Sequence, residues 1–223
     1  MDISIFDVAG PVMIGPSSSH TAGAAKLARV ARIIVGQPFS HVSFGLHGSF
    51  ARTYKGHGTD RALVAGVLGL REDDENLARS FELAAAQGIA FDFYEIELEN
   101  AHENSVNMTF TLKDPSQPPF TVVGSSIGGG QILITGIDGF EVELTAQLPT
   151  LVISQYDKKG VVSEVTTVLA NHNINIGVMK LSRKGKGELA SCIIETDGEV
   201  PAAVVDSLRR IDHVLSVRSI SVL

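Results

Sequence analysis

Along residues 149–223 the hydrophobic spacing switches back and forth between that of a strand and that of a helix, and few folds accommodate the order that results. Residues 151–156, LVISQY, read as a strand that ends at the DKKG of 157–160. Val161, Val165, Val168 and Leu169 then recur at helical spacing, and Asn171-His172-Asn173 supplies residues typical of a helix end. Ile174, Ile176 and Val178 alternate as on a half-buried strand. Gly185 and Gly187 mark a turn, and residues 189–196 return as the second strand of a hairpin. Pro201 suits the first turn of a helix with Val204, Leu208 and Ile211 on one side, and residues 214–222 read as a last strand.

Strand, helix, strand, strand, helix, strand is the ferredoxin-like arrangement, βαββαβ. Upstream, residues 22–35, 58–70 and 75–87 are helical by composition and spacing. Residues 42–46, 91–98, 106–112, 120–126, 131–135 and 140–145 alternate or cluster like strands between Asn, Pro and Gly turns. The expectation is an α+β chain: helices packed on a mostly antiparallel sheet, then a ferredoxin-like unit. Charge suggests where they meet. Residues 1–148 carry 9 basic and 17 acidic side chains, whereas residues 149–223 carry 9 and 8, which places the expected domain boundary near Pro149.

Composition narrows function. A net charge of −7 argues against a nucleic-acid partner, whose affinity rests on many Lys and Arg contacts to phosphate. Hydrophobic residues at 44% and charged residues at 19% describe a soluble globular protein. The opening MDISIFDVAGPVM has no basic stretch followed by an apolar block, and runs such as residues 63–70 are too short to cross a bilayer. A cytoplasmic protein without a membrane partner is therefore expected. Cys192 is the only cysteine. It forbids an internal disulfide, a cysteine-built metal cage or an iron–sulfur cluster held by this chain alone, since clusters need about four thiolates. In the apolar pattern LASCII it reads as a small buried thiol.

Four clusters of polar residues remain. In GPSSSHT, residues 15–21, the chain turns through Gly15 and Pro16 and presents Ser17, Ser18 and Ser19. It then enters a helix within a residue or two of His20 and Thr21. A helix N-terminus offers unpaired N–H groups and positive potential to a carboxylate or phosphate, and the hydroxyls add donors. A helix cap needs only one hydroxyl, so this run reads as a binding site for a small anion beside its capping role. The second cluster pairs HGSFA at 47–51 with GHGTD at 56–60. Glycines flank His57, Gly58 and Thr59 follow it, and Asp60 is spaced to orient its imidazole as a histidine base requires; a capping role for Thr59 or Asp60 is compatible. The third is HENS at 102–105, in a turn before a strand. The fourth is SSIGGG at 125–130, where three glycines fit either close packing against a ligand or partner, or a loose loop. His and acid spacing matches no zinc site.

Residues 149–223 resemble an ACT domain, the small regulatory module of amino-acid metabolism, in the DKKG turn, the NHNINI run at 171–176 and the element order. The resemblance implies effector binding near the first turn at an interface between two copies, through Asp157, Gly160, Asn175 and Ile176, with an amino acid or a monovalent cation as effector. GPSSSHT, GSFARTYKGHGTD, the turn holding His102 and Asn104, and SSIGGG together resemble, in order and over almost the full length, the β chain of the iron–sulfur L-serine dehydratases. That family joins a substrate-binding-type domain, here 1–148, to an ACT domain, here 149–223. A cysteine-rich α subunit carries the 4Fe–4S cluster and most of the remaining active site.

The resemblance implies conversion of L-serine to pyruvate and ammonia, with Ser17, Ser18, Ser19, His20, Thr21, Gly58, Thr59, His102 and Asn104 toward the substrate, His57 as base and Asp60 behind it. The family's turn is commonly His-Pro-Asn, whereas this chain has Glu103 in the middle. A reading from another class is a regulatory module that binds serine or a small phosphorylated hydroxy acid and catalyses nothing. Such a module needs the anion donors of GPSSSHT but has no use for GHGTD.

Overall fold

The computed structural model describes residues 17–221. Gly15 and Pro16 of the first cluster, and Val222 of the last strand, lie outside them. The chain divides into two compact units, the first reaching to Asp138 and the second starting at Gly139. The second unit opens on the strand Phe140–Leu144, and the boundary expected near Pro149 lies between that strand and the next, Thr150–Tyr156.

The first unit begins with a π-helical turn, Ser19–Gly23, that runs directly into α1, Ala24–Val35. Alanines and branched aliphatics every third or fourth residue bury one side of α1 through Ala24, Leu27, Ala28, Ala31 and Val35. The helix stops where Gly36 turns left-handed (φ 57°) and its N–H reaches Arg32 O. Next come β1 (Phe39–Leu46), α2 (Gly48–His57), α3 (Thr59–Leu68), a 3₁₀ turn (Glu75–Arg79), α4 (Ser80–Ala86) and β2 (Ala90–Glu95). The strands β3 (Ser105–Leu112), β4 (Phe120–Gly128) and β5 (Gln131–Ile137) complete the unit.

In this unit the strands order β2-β1-β3-β4-β5. Only the β1–β2 pair is parallel, with Val42 opposite Phe91; β1 faces β3 antiparallel, Val42 opposite Phe110, and β3 faces β4, Ser105 opposite Ser125. Phe44, Phe50 and Phe110 are wholly buried in the core, each worth about 1.5–3 kcal/mol. The expected helices and strands are present with shifted ends, and the mostly antiparallel sheet is as expected. α2 is an addition: its ten residues carry one buried apolar side chain, Phe50, so they give no periodic signal.

The second unit contains β6 (Phe140–Leu144), β7 (Thr150–Tyr156), α5 (Val161–Asn171), β8 (Ile176–Arg183), β9 (Leu189–Thr196), α6 (Ala202–Leu208) and β10 (Val214–Ile220). Four strands pair antiparallel in the order β10-β7-β9-β8, the sheet of a βαββαβ unit. Its core gathers Leu151 and Ile153 of β7, Val165 and Leu169 of α5, Ile194 of β9 and Leu208 of α6. Cys192 lies in that core opposite Ile153, and burial pushes its thiol up to about 11, so it is inert rather than nucleophilic. Among the described residues no helix is long and apolar enough to cross a membrane.

Candidate functional site

The π-turn brings the first two clusters together. A wider turn than an α-helix sets His20 inward, where it is 8% exposed, and both nitrogens of its imidazole meet hydroxyls. Ser17 Oγ lies 3.2 Å from Nδ1, and Ser49 Oγ lies 3.1 Å from Nε2. A neutral imidazole has one N–H donor and one acceptor, so one serine donates and the other accepts. Burial first, and the nearby His57 second, hold the His20 pKa below the ordinary 6.5, which favours this neutral form.

His57 ends α2 and stands edge to face with His20, ring centroids 4.7 Å apart at 87°; Phe50 packs on the other side of His20 at 5.3 Å. Thr21 Oγ1 donates to the carbonyl of His57 at 3.3 Å, tying the π-turn to the end of α2. His57 Nδ1 is buried and has no hydrogen-bond partner among the described residues. The expected pairing with Asp60 is not formed. Gly58, left-handed at φ 70°, ends α2 and caps α3, so His57 and Asp60 lie on different helices despite their helical spacing. Asp60 Oδ1 instead accepts the N–H of Arg61 at 2.8 Å, and burial raises its carboxyl pKa, with Arg61 and Lys55 pulling the other way.

The third cluster supports α2 from beneath. The carbonyl of Glu103 accepts the N–H groups of Ser49 (2.7 Å) and Phe50 (3.3 Å), satisfying donors that a helix start leaves open. Its carboxylate pairs with Arg52, which holds it below the usual range. His102 is exposed, and its Nδ1 accepts the N–H of Asn104 at 3.1 Å. The backbone of Asn104 joins the fourth cluster through Ser126 N–H, 2.9 Å from Asn104 O. Ser105 and Ser125 share a buried hydroxyl contact of 2.7 Å.

Among the described residues, Ser126 Oγ is buried without a partner, as is Thr59 Oγ1. The backbone of Gly23 passes so close to Ser126 that a Cβ there would sit 2.0 Å from its Oγ, so the π-turn can lie on β4 only with glycine at that position. The three glycines at 128–130 all take positive φ in the β4–β5 turn, and an added Cβ at any of them would meet nothing within 4 Å. They answer a turn geometry rather than close packing against the described residues.

Of the residues singled out from sequence, His20, Thr21 and His57 thus meet at one point, with Ser17 and the neighbouring Thr59 beside them. Ser18 and Ser19 are half-buried on the same turn, and neither forms a side-chain cap. His102 and Asn104 connect to that point through the Glu103 carbonyl and Ser126. Sequence reasoning missed Ser49 as a partner of His20. A Gly-Ser pair directly after a histidine was the signal of a helix start, but no spacing announces a contact across this distance. His47 is a brace, its Nδ1 accepting the N–H of Leu98 at 3.2 Å.

In the second unit, Asp157 Oδ2 accepts Gly187 N–H at 3.1 Å and pairs with Arg183 at 3.0 Å, and these contacts lower its pKa. Gly160 caps α5 in a left-handed conformation (φ 94°), Asn175 Nδ2 donates to Asp197 at 2.7 Å, and Ile176 pairs with Thr196 on β9.

Comparison with known proteins bears directly on this arrangement. The family profile described as "Serine dehydratase beta chain" matches residues 4–136, the stretch that holds the whole His20–His57 cluster. The chain belongs to the serine dehydratase beta-chain family. The ACT domain profile matches residues 150–213 of this beta chain, in agreement with the four-stranded antiparallel sheet and two helices found there. Over 98% of both chains it is 39% identical to the probable L-serine dehydratase beta chain of Bacillus subtilis. With the L-serine dehydratase beta chain of Peptoniphilus asaccharolyticus it shares 38% identity over 99% of both. The L-serine dehydratase TdcG of Escherichia coli is 30% identical over 66% of this chain and 37% of that protein.

Proposed function

We propose that this beta chain completes the active site of an L-serine ammonia-lyase whose remaining parts lie on a separate, cysteine-rich α subunit. The relatives support that division. Two are beta chains matched end to end, whereas the Escherichia coli protein carries a long additional stretch within one chain. We take 1–148 as the substrate-binding-type domain and 149–223 as the ACT domain, consistent with profile matches on either side of that boundary.

A 4Fe–4S cluster does not fit the donors of this chain. Its one cysteine is buried in the second unit, and among the described residues no three His, Cys, Asp or Glu side chains gather as a metal site. The cluster is therefore assigned to the α subunit, and the work of this chain is binding and proton transfer.

The reaction removes the Cα proton and the β-hydroxyl of serine. The aminoacrylate left behind tautomerises to an imine, and water converts it to pyruvate and ammonia. The observation that carries our reading is the contact of buried His20 with half-buried His57, whose buried Nδ1 has no hydrogen-bond partner among the described residues. An imidazole nitrogen held open in that position is suited to take the Cα proton. Half-buried Ser18 and Ser19 face the substrate carboxylate, His102 and Asn104 border it, and Thr21 braces His57. Co-expressed anaerobically with its cysteine-rich partner, the chain is expected to give serine-dependent pyruvate; equal activity with this chain omitted overturns the assignment. His57→Ala should lower kcat by roughly 10²–10⁴-fold with assembly intact.

The ACT unit is assigned two further tasks: binding an amino-acid or monovalent-cation effector near Asp157, Gly160, Asn175 and Ile176, and self-association. Support for the second is the exposure of Val178, Met179 and Leu181 on β8, the edge strand of its sheet.

A further inference from the structure

We propose that Ser49 is a positioning residue for this reaction: its hydroxyl, anchored at the start of α2, fixes the tautomer and ring plane of His20 against which His57 rests. The inference builds on the reading of His57 as base. Three observations converge on Ser49. Its Oγ lies 3.1 Å from His20 Nε2, its one hydrogen-bond partner among the described residues. Its N–H is held by the Glu103 carbonyl at 2.7 Å, and its own carbonyl accepts Thr53 Oγ1 at 2.7 Å. The hydroxyl is thus attached to a backbone that cannot shift without breaking bonds on both sides.

The opposite nitrogen of His20 meets Ser17, a neighbour on the same turn that moves with it. Among the described residues, Ser49 is the hydrogen-bond partner that refers the ring to a different element. Which nitrogen of a histidine carries the proton is set by the bond the other nitrogen makes, so removing the hydroxyl of Ser49 frees both tautomers and a ring flip. The ring of His57 rests against that of His20 at 87°, so a His20 free to flip no longer offers it one fixed arrangement of polar and apolar ring atoms. With both nitrogens occupied inside the chain, His20 itself acts through its neighbours rather than as a direct substrate ligand.

The test compares wild type, Ser49→Ala and Ser49→Thr. In the ¹⁵N-histidine-labelled full chain, the two ring nitrogens of His20 should show the widely separated shifts of one tautomer in wild type and Ser49→Thr. Averaged shifts are expected in Ser49→Ala. In the complex with the α subunit, Ser49→Ala should lose kcat by roughly 10- to 100-fold, the effect typical of removing a partner that orients a functional histidine. The KM for L-serine should hold, and Ser49→Thr should recover turnover. An unchanged His20 spectrum in Ser49→Ala overturns the proposal, and so does a changed spectrum with wild-type kcat. The spectrum needs no turnover, so it reads the Ser49–His20 contact independently; normal activity in His57→Ala would instead remove the base assignment.

Discussion

His20 and His57 meet ring edge to ring face at 4.7 Å, although 36 residues separate them in sequence, and the hydrogen bond from Thr21 to the His57 carbonyl closes the loop between their elements. The neutral state of His20 follows from this enclosure.

Enclosure gives His20 a signature in stability. Its pKa in the folded chain is depressed below the 6.5 of the unfolded chain, so the unfolded state binds the proton first as pH falls. Stability should decrease from about pH 6.5 downward until the lower folded value is passed, then show no further loss from this residue. Urea midpoints between pH 8 and 5 should slope in wild type and flatten in His20→Gln. An identical slope in the variant would assign the effect to other groups.

Ser126→Ala should stabilise the chain. The hydroxyl is buried without a partner among the described residues, and such a group costs about 1–3 kcal/mol that its removal recovers. The Cβ that Gly23 packs against remains. A lowered unfolding midpoint would contradict this, whereas a raised midpoint with weakened activity in the complex would mark Ser126 as held ready for a ligand.

Arg29 of α1 and Glu72, in the loop after α3, form an ion pair at 3.0 Å with side chains only 11% and 16% exposed. Removing one partner leaves the other charge uncompensated, so Glu72→Ala should cost about 3–5 kcal/mol. Replacing both by Met should cost much less than the single change. Denaturant titration of the three variants decides, and a single-variant loss too small to measure would show the pair to be solvated.

Thermal melts with single amino acids and monovalent cations test the ACT effector. Binding to the native state raises the melting temperature with ligand concentration. One of these ligands should raise it in wild type and fail to do so in Asp157→Ala, which loses the clip to Gly187 and Arg183. No shift with any of them counts against effector binding.

The second unit was legible because its elements differ in period: Val161, Val165 and Leu169 at helical spacing, Ile174, Ile176 and Val178 at strand spacing. In the first unit the strands were legible for the same reason. Helix α2 was not, since its formation depends on a carbonyl from residue 103 and a left-handed Gly58, neither of which leaves a hydrophobic stripe. The same glycine made the spacing of His57 and Asp60 misleading. Histidine and hydroxyl residues were visible as candidates, and the fold brings His20, Thr21 and His57 together. Their pairing was not: the contact of His20 with Ser49 is created by the packing of the π-turn on α2, and spacing rules reach only neighbours on one element.

The turn that supports α2 does so through the backbone oxygen of residue 103, while its carboxylate points outward to Arg52 and is 62% exposed. Every amino acid owns that oxygen, proline included. A substitution at 103 therefore leaves in place the oxygen that the helix start receives from it. The support of Ser49 thus does not depend on which side chain stands at 103, and the Glu103 carboxylate sets only the charge displayed outward.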